Sequence, residues 1–297
     1  MSLDQLDAKP LGPAMAEAHR QLEICNACRY CEGFCSVFPA MMRQKTFAEG
    51  DLNHMANLCH NCRGCYYSCQ YTPPHEFELN LPAILAEVRQ ESWESYIRPR
   101  ALSKAFHEHG FAMALAAAIF IGILFWVAST AGADPSAGFY AHLAHNLMVA
   151  IFAPAFLAPL AIIALGLRDY WRDTGGRWPS IADLKSAFGS VSKMKNLSGG
   201  HGEGCNFERE DRYTNARRYA HQAVLWGFLL CFLSTSSATL MHYFMNWPAP
   251  YGLLTPPKLF GLSGGVLLTL GAIEMIRLKL KADPELSAKR VWRGEFA

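Results

Sequence analysis

The chain is poor in charge. Asp, Glu, Lys and Arg make up 18% of its 297 residues, and the net charge is only +2. Globular chains usually carry about a quarter. That balance argues against a basic nucleic-acid binder, so no nucleic-acid partner is expected. It also argues against collagen, coiled coil and a disordered tail. No glycine fingerprint for a dinucleotide is present, nor a pair of carboxylates suited to acid–base catalysis. The chain shows no substrate chemistry of its own. No run alternates apolar and polar residues as a half-buried strand would. The opening stretch, MSLDQLDAKPLGPAMAEAHR, has no apolar run behind a basic start, which predicts no secretory signal.

Cysteine, by contrast, is plentiful. Of ten cysteines, eight lie between Cys25 and Cys69; Cys205 and Cys231 stand apart. A reducing compartment disfavours disulfides, so dense cysteine there points to metal. Cys25, Cys28, Cys31 and Cys35 read C-x2-C-x2-C-x3-C. Cys59, Cys62, Cys65 and Cys69 repeat the run 34 residues later, with Arg29 matching Arg63 and Pro39 matching Pro73. This is the ligand run of a two-cluster ferredoxin, in which the fourth cysteine of each run serves the other cluster. The crossed reading gives one [4Fe–4S] cluster to Cys25, Cys28, Cys31 and Cys69. The second takes Cys59, Cys62, Cys65 and Cys35. Bacterial ferredoxins put proline directly after the fourth cysteine; Ser36 and Gln70 stand there instead, and proline follows four residues after it. The alternative is two structural zinc sites. Zinc usually takes two separated C-x2-C pairs, so a third cysteine in each run is superfluous for it. His60, beside Cys59, is placed to tune a cluster through a hydrogen bond. The flanking sequence reads as helix: Asn80 as cap, Pro82 in the first turn, and Leu81, Ile84, Leu85 and Val88 at i, i+3, i+4, i+7.

After Arg100 the composition changes. Residues 111–131 carry no charge, and 143–167 carry no acid or base but His145. Besides Cys231 and Tyr243, the only ionisable side chain in 223–244 is His242, and 259–276 holds one acid, Glu274. A membrane span needs about 20 apolar residues, so four spans are expected. The mean hydropathy of +0.06 is then an average over a polar and an apolar half. Lys and Arg set the direction. Residues 1–106 hold ten, 168–220 ten, the tail from Arg277 six, and only Lys258 lies opposite. Both termini and the central loop are therefore expected on the cytoplasmic side of a bacterial inner membrane. The expected organisation is all-α: a helical two-cluster ferredoxin-like domain over 1–106, then a four-helix transmembrane bundle over 107–282 with its loop 168–220. A cytoplasmic tail, 283–297, ends the chain. Pro154 and Pro159 interrupt the second span. Gly261 and Gly265 form a G-x3-G face in the fourth. The Ser234–Thr239 patch reads as helix packing in preference to a cavity lining. Arg209, Arg212, Arg217 and Arg218 read as topology anchors, with membrane lipid as an anionic partner.

Ionisable residues at membrane depth are functional candidates by default. His142 and His145 share a face at the outer end of span two, and His242 sits at the outer end of span three. Two histidines at equal depth on neighbouring helices can clamp one haem b, with His145 and His242 the best pair. His142 and His221 are the alternative, or serve a second haem; His107 and His109 precede span one. Cys205, in a glycine-rich loop, and Cys231 read as ordinary thiols. Glu274 near the inner end of span four reads as an ion-pair partner of Arg277, with quinone protonation as the sharper role.

CRYCEGFCSVFPAM from Cys28 and EGDLNHMANLCHNCRGCYYSCQYTPPHEFELN from Glu49 resemble the tricarballylate/citrate-utilisation protein B family. The resemblance continues through His145-Asn146, the Gly204-Cys205-Asn206 loop, GFLLCF from Gly227, His242-Tyr243 and the Ala249-Pro250-Tyr251-x-Leu253 segment. It implies a membrane protein with iron–sulfur centres and haem. Such a protein reoxidises a partner FAD-dependent dehydrogenase acting on a tricarboxylate and passes the electrons to membrane quinone. An electron-transfer subunit of a heterodisulfide-reductase-like or other respiratory complex shares the same spacing, and a co-purifying subunit distinguishes the two. A redox sensor without electron throughput is the third reading.

Overall fold

The computed structural model describes residues 11–130, 145–199, 204–205, 213–283, 286 and 288. Among the described residues ten α-helices follow one another: α1 (Pro13–Cys28), α2 (Val37–Met42), α3 (Glu49–Leu58), α4 (Gly64–Tyr67), α5 (Leu81–Tyr96), α6 (Arg100–Thr130), α7 (His145–Asp173), α8 (Ile181–Lys193), α9 (Ala216–Phe244) and α10 (Pro256–Lys281). Among the described residues there is no strand; Cys205 and Thr214 form an isolated antiparallel bridge. The all-α expectation holds. The chain divides into two units. One comprises residues 1–104, 166–215 and 281–292, the other 105–165, 216–280 and 293–297.

In the first unit, α1, α3 and α5 each contribute a stripe at helical spacing. Ala14, Ala18 and Leu22 come from α1, Leu52, Met55 and Ala56 from α3, and Leu81, Leu85 and Val88 from α5. All are buried, and α2 closes the core with Val37, Phe38 and Met41. Each fully buried Leu or Met contributes roughly 1.5–3 kcal/mol. Helix α5 starts where the sequence places it. The Asn80 side chain accepts from the Ala83 N–H at 3.2 Å, satisfying one orphan donor. Its own N–H donates to Gln21 of α1 at 3.1 Å, which fixes the entry of the chain into the helix. The last turns of α7 belong to this unit. Tyr170 packs edge-on against Tyr96 at 5.5 Å and bonds to His54 at 3.2 Å, while Asp169 pairs with Arg98 at 3.2 Å.

In the second unit, α6, α7, α9 and α10 are long and apolar enough to cross a membrane. Their large side chains stand mostly uncovered, as at Phe120, Leu157, Phe228 and Leu262. At 1.5 Å per residue each is longer than a hydrocarbon core of about 30 Å. Helix α6 is two helices joined across a kink at His109, just before the apolar run (φ −132°, ψ 22°). Helix α7 holds both Pro154 and Pro159 within one element. One feature departs from the sequence reading. The close-packing face of α10 is Gly261, Gly264 and Gly271, not Gly261 with Gly265. A Cβ on Gly264 would lie 2.8 Å from the Cys231 N and one on Gly271 2.8 Å from the Ala220 O, whereas Gly265 faces open space. One residue along a helix turns the face by 100°, so the neighbour α9 selects 264 over 265. The hydroxyl patch of α9 serves packing: Ser234 donates to the Pro257 carbonyl at 2.6 Å, and Ser237 bonds back to its own helix at 2.9 Å.

Candidate metal centres

The two cysteine runs take related backbone paths. Helix α1 ends at Cys28, and Arg29 turns into the left-handed region (φ 57°) with its N–H on the Cys25 carbonyl at 2.8 Å. Arg63, its counterpart in the repeat, has φ 62°. Both turns fold the third cysteine of a run back towards the first two. A non-glycine residue in this region costs roughly 1–2 kcal/mol, so the surroundings impose it twice.

The eight thiols gather in two cavities, and each cavity draws on both runs. Cys25, Cys28, Cys31 and Cys69 line the first, of about 250 Å³, together with Tyr30, Phe38, Tyr71 and Leu79. Cys35, Cys59, Cys62 and Cys65 line the second, narrower one of about 20 Å³, with Phe34, Leu81, Pro82, Leu85, His60 and Arg63. The cavities differ in exposure. Cys28 and Tyr30 stand open to solvent beside the first. The second is walled by buried α5 residues and by Arg63, which is 1% exposed.

Backbone donors reach the sulfurs. The Asn61 N–H donates to Cys59 Sγ and the Tyr71 N–H to Cys69 Sγ, both at 3.4 Å. Val37 and Phe38 at the start of α2 donate to Cys35. Arg63 donates to the Asp283 carbonyl at 2.7 Å, and Arg89 donates to the Cys59 carbonyl. Sequence reasoning matched Arg63 with Arg29 but assigned it no place in a site; its link to Asp283, 220 positions on, had no local signal.

Burial pushes the thiols up, and neighbouring thiols add to it. Cys25 and Cys35 are raised to about 12 and Cys31 to about 11, while Cys65 lies well above the usual 9.0. The sulfurs that raise Cys25 include Cys69, and those that raise Cys35 include Cys62 and Cys59. The sign is that of an acid disfavoured in the fold. Metal-free protein holds its full share of stability below pH 9, where unfolded thiols are also neutral. It loses that share as pH rises from 9 towards 12, because only the unfolded chain ionises. Thermal melts of metal-free protein should therefore fall steadily across that window. A flat melting temperature between pH 9 and 11 would contradict the burial of these thiols.

The donor set suits a [4Fe–4S] cluster: four thiols enclose each cavity, and each iron of a cubane takes one. Among the described residues no three His, Cys, Asp or Glu side chains converge as ligands of one metal ion would. Of the haem candidates, His142 lies outside the described residues, as does the side chain of His145, whose backbone opens α7. His242 is half-buried at the end of α9, edge-on to Tyr243 at 5.0 Å, and His221 is exposed near the other end of the same helix. His107 is half-buried, and His109 forms the α6 kink. Glu274 is paired with Arg277, whose guanidinium lies 3.0 and 3.1 Å from the two carboxylate oxygens. Cys205 is buried, with its backbone paired to Thr214.

A helical domain enclosing two four-thiol cavities, joined to four helices able to cross a membrane, defines a ferredoxin-like membrane-type protein. Residues 18–95 match the citrate utilization protein B Fer4-like domain and residues 98–297 match citrate utilization protein B. The chain belongs to the citrate utilization protein B family. It is 40% identical over 282 residues to citrate utilization protein B of Escherichia coli, covering 93% of this chain and 74% of that protein. No solved structure matches it significantly.

Proposed function

We propose that the chain is a membrane electron-transfer protein in the use of citrate or a related tricarboxylate. It takes electrons from a partner FAD-dependent dehydrogenase of tricarballylate or a similar acid on the cytoplasmic side and delivers them to membrane quinone. The observation that carries this reading is the pair of cavities, each ringed by four thiols drawn from both runs. Cys25, Cys28, Cys31 and Cys69 would hold one [4Fe–4S] cluster, and Cys35, Cys59, Cys62 and Cys65 the other. Bound there, such clusters take up and release electrons singly, which suits a two-electron flavin donor feeding one-electron carriers.

The chain's own residues prepare these sites. The N–H groups of Asn61 and Tyr71 favour negative charge on the sulfurs they touch. Arg63 sets a fixed positive charge at the second cavity, and Leu81, Pro82 and Leu85 keep water from it. The exposed Cys28 leaves the first cavity within reach of a soluble flavoprotein. His145 and His242 are the proposed ligands of a haem b, with His142 and His221 as alternatives or a second pair. The orientation proposed puts both termini on the cytoplasmic side of a bacterial inner membrane.

The test is anaerobic. Purified, iron-reconstituted protein is reduced with stoichiometric dithionite and mixed with a soluble quinone analogue, and absorbance is followed. Quinone-dependent reoxidation with a b-type band is expected. Intact clusters that leave quinone unreduced would shift the assignment to a redox sensor. Clusters without any b-type band would remove the haem.

A further inference from the structure

Helix α8 (Ile181–Lys193) has no place in the electron-transfer reading. Its apolar residues Ile181, Leu184, Phe188 and Val191 recur at i, i+3, i+7, i+10, a stripe about 80° wide at 3.6 residues per turn. Protein covers none of them: they are 74%, 57%, 72% and 58% exposed, and no residue of the helix is buried. Trp178, two residues before the cap, is 97% exposed. The helix is nevertheless firmly delimited. Ser180 Oγ accepts from the Asp183 N–H at 3.2 Å, and the Asp183 carboxylate accepts from the Ser180 N–H at 2.9 Å. Met194 in the left-handed region closes the other end. A lone 13-residue helix is marginal in water, so a face like this one needs an apolar cover.

Charge and chain length identify the cover. Lys185 borders the stripe, Lys193 lies on the opposite face, and Arg177 and Lys195 flank the helix. Its only acid, Asp183, is engaged in the cap. Helix α7, long enough to cross a membrane, ends at Asp173, so Ile181 lies at most roughly 28 Å from that end even on a fully extended chain. A basic rim, an apolar stripe and an exposed tryptophan beside a membrane span match a helix lying in the headgroup–acyl boundary. We propose that α8 lies flat on the membrane, its stripe in the acyl boundary and Lys185, at the edge of the stripe, on anionic headgroups. This rests on the reading of α7 as a membrane span.

The test uses the full chain in lipid nanodiscs, with photoreactive p-benzoylphenylalanine replacing Phe188, Asp183 or, as a control for membrane insertion, Phe120 of α6. In discs containing phosphatidylglycerol, position 188 should yield lipid adducts and position 183 none. The yield at 188 should fall several-fold in phosphatidylcholine discs and with Lys185→Glu. Unchanged elution of the disc complex and unchanged labelling at 120 verify that each variant is folded and inserted. A protein adduct at 188 would assign the face to a second copy or another partner and overturn the proposal. So would the absence of lipid adducts at 188 while 120 is labelled. Equal yields in both lipids would overturn the headgroup contact. Failure at both 188 and 120 would instead withdraw the membrane reading of the spans.

Discussion

Cys69→Ser should erase the same cluster signal as Cys28→Ser, and Cys35→Ser the same signal as Cys62→Ser. Each single change should lower bound iron from about eight to about four atoms per chain. The reason is geometric. Cys69 belongs to the second run by sequence but lines the first cavity, and Cys35 belongs to the first run but lines the second. The electrostatics agree, since Cys69 is among the groups that raise Cys25 and Cys59 and Cys62 are among those that raise Cys35. Low-temperature electron paramagnetic resonance of the reduced variants separates the pairs, because the two sites have unlike surroundings. Arg63 lines the second cavity, whereas Cys28 leaves the first open. If Cys69→Ser instead matched Cys62→Ser, each run would hold its own cluster and the crossed assignment would fall.

The second large effect is expected in the membrane-type unit. Gly227→Ala places its Cβ 2.5 Å from the Leu268 N and 2.9 Å from the Gly264 O, and both obstacles are backbone. No rotamer change relieves a clash at Cβ, so α9 and α10 must move apart. Overpacking of this kind costs roughly 1–3 kcal/mol, and two facing backbones put it at the upper end. Gly271→Ala meets the Ala220 O and Val224 N at 2.8 Å and should behave alike. Gly265→Ala has nothing within 4 Å and should be neutral or slightly stabilising. Melting temperatures in one detergent, compared across the three variants, check the ranking. Equal losses at 227 and 265 would refute the contact.

These two cases also mark what the residues disclose by themselves. Cysteine spacing anticipated which four thiols line each cavity, because each run is local and its partner lies one repeat away. The start of α5 was equally legible, since Asn80 and the Leu81, Leu85 and Val88 stripe act within a few turns. The glycine face was read one residue off, because which side of α10 meets α9 depends on the neighbour and not on the span itself. The inequality of the two cavities left no mark in the repeat. Arg29 and Arg63 share a position and a backbone conformation, yet one is exposed and the other buried, since Asp283 and α5 cover only the second. Helix α8 had a plain stripe, but it lay in a segment read merely as a connection between spans.

The interleaving of the two runs bears on biosynthesis. In a chain emerging residue by residue, the four thiols of the second cavity are all present only at Cys65 and those of the first only at Cys69, although the first run has been finished since Cys35. Neither half of the duplicated segment can mature ahead of the other. Under the proposed crossed ligation, iron and sulfide could be held by four thiols at either site only after both runs exist.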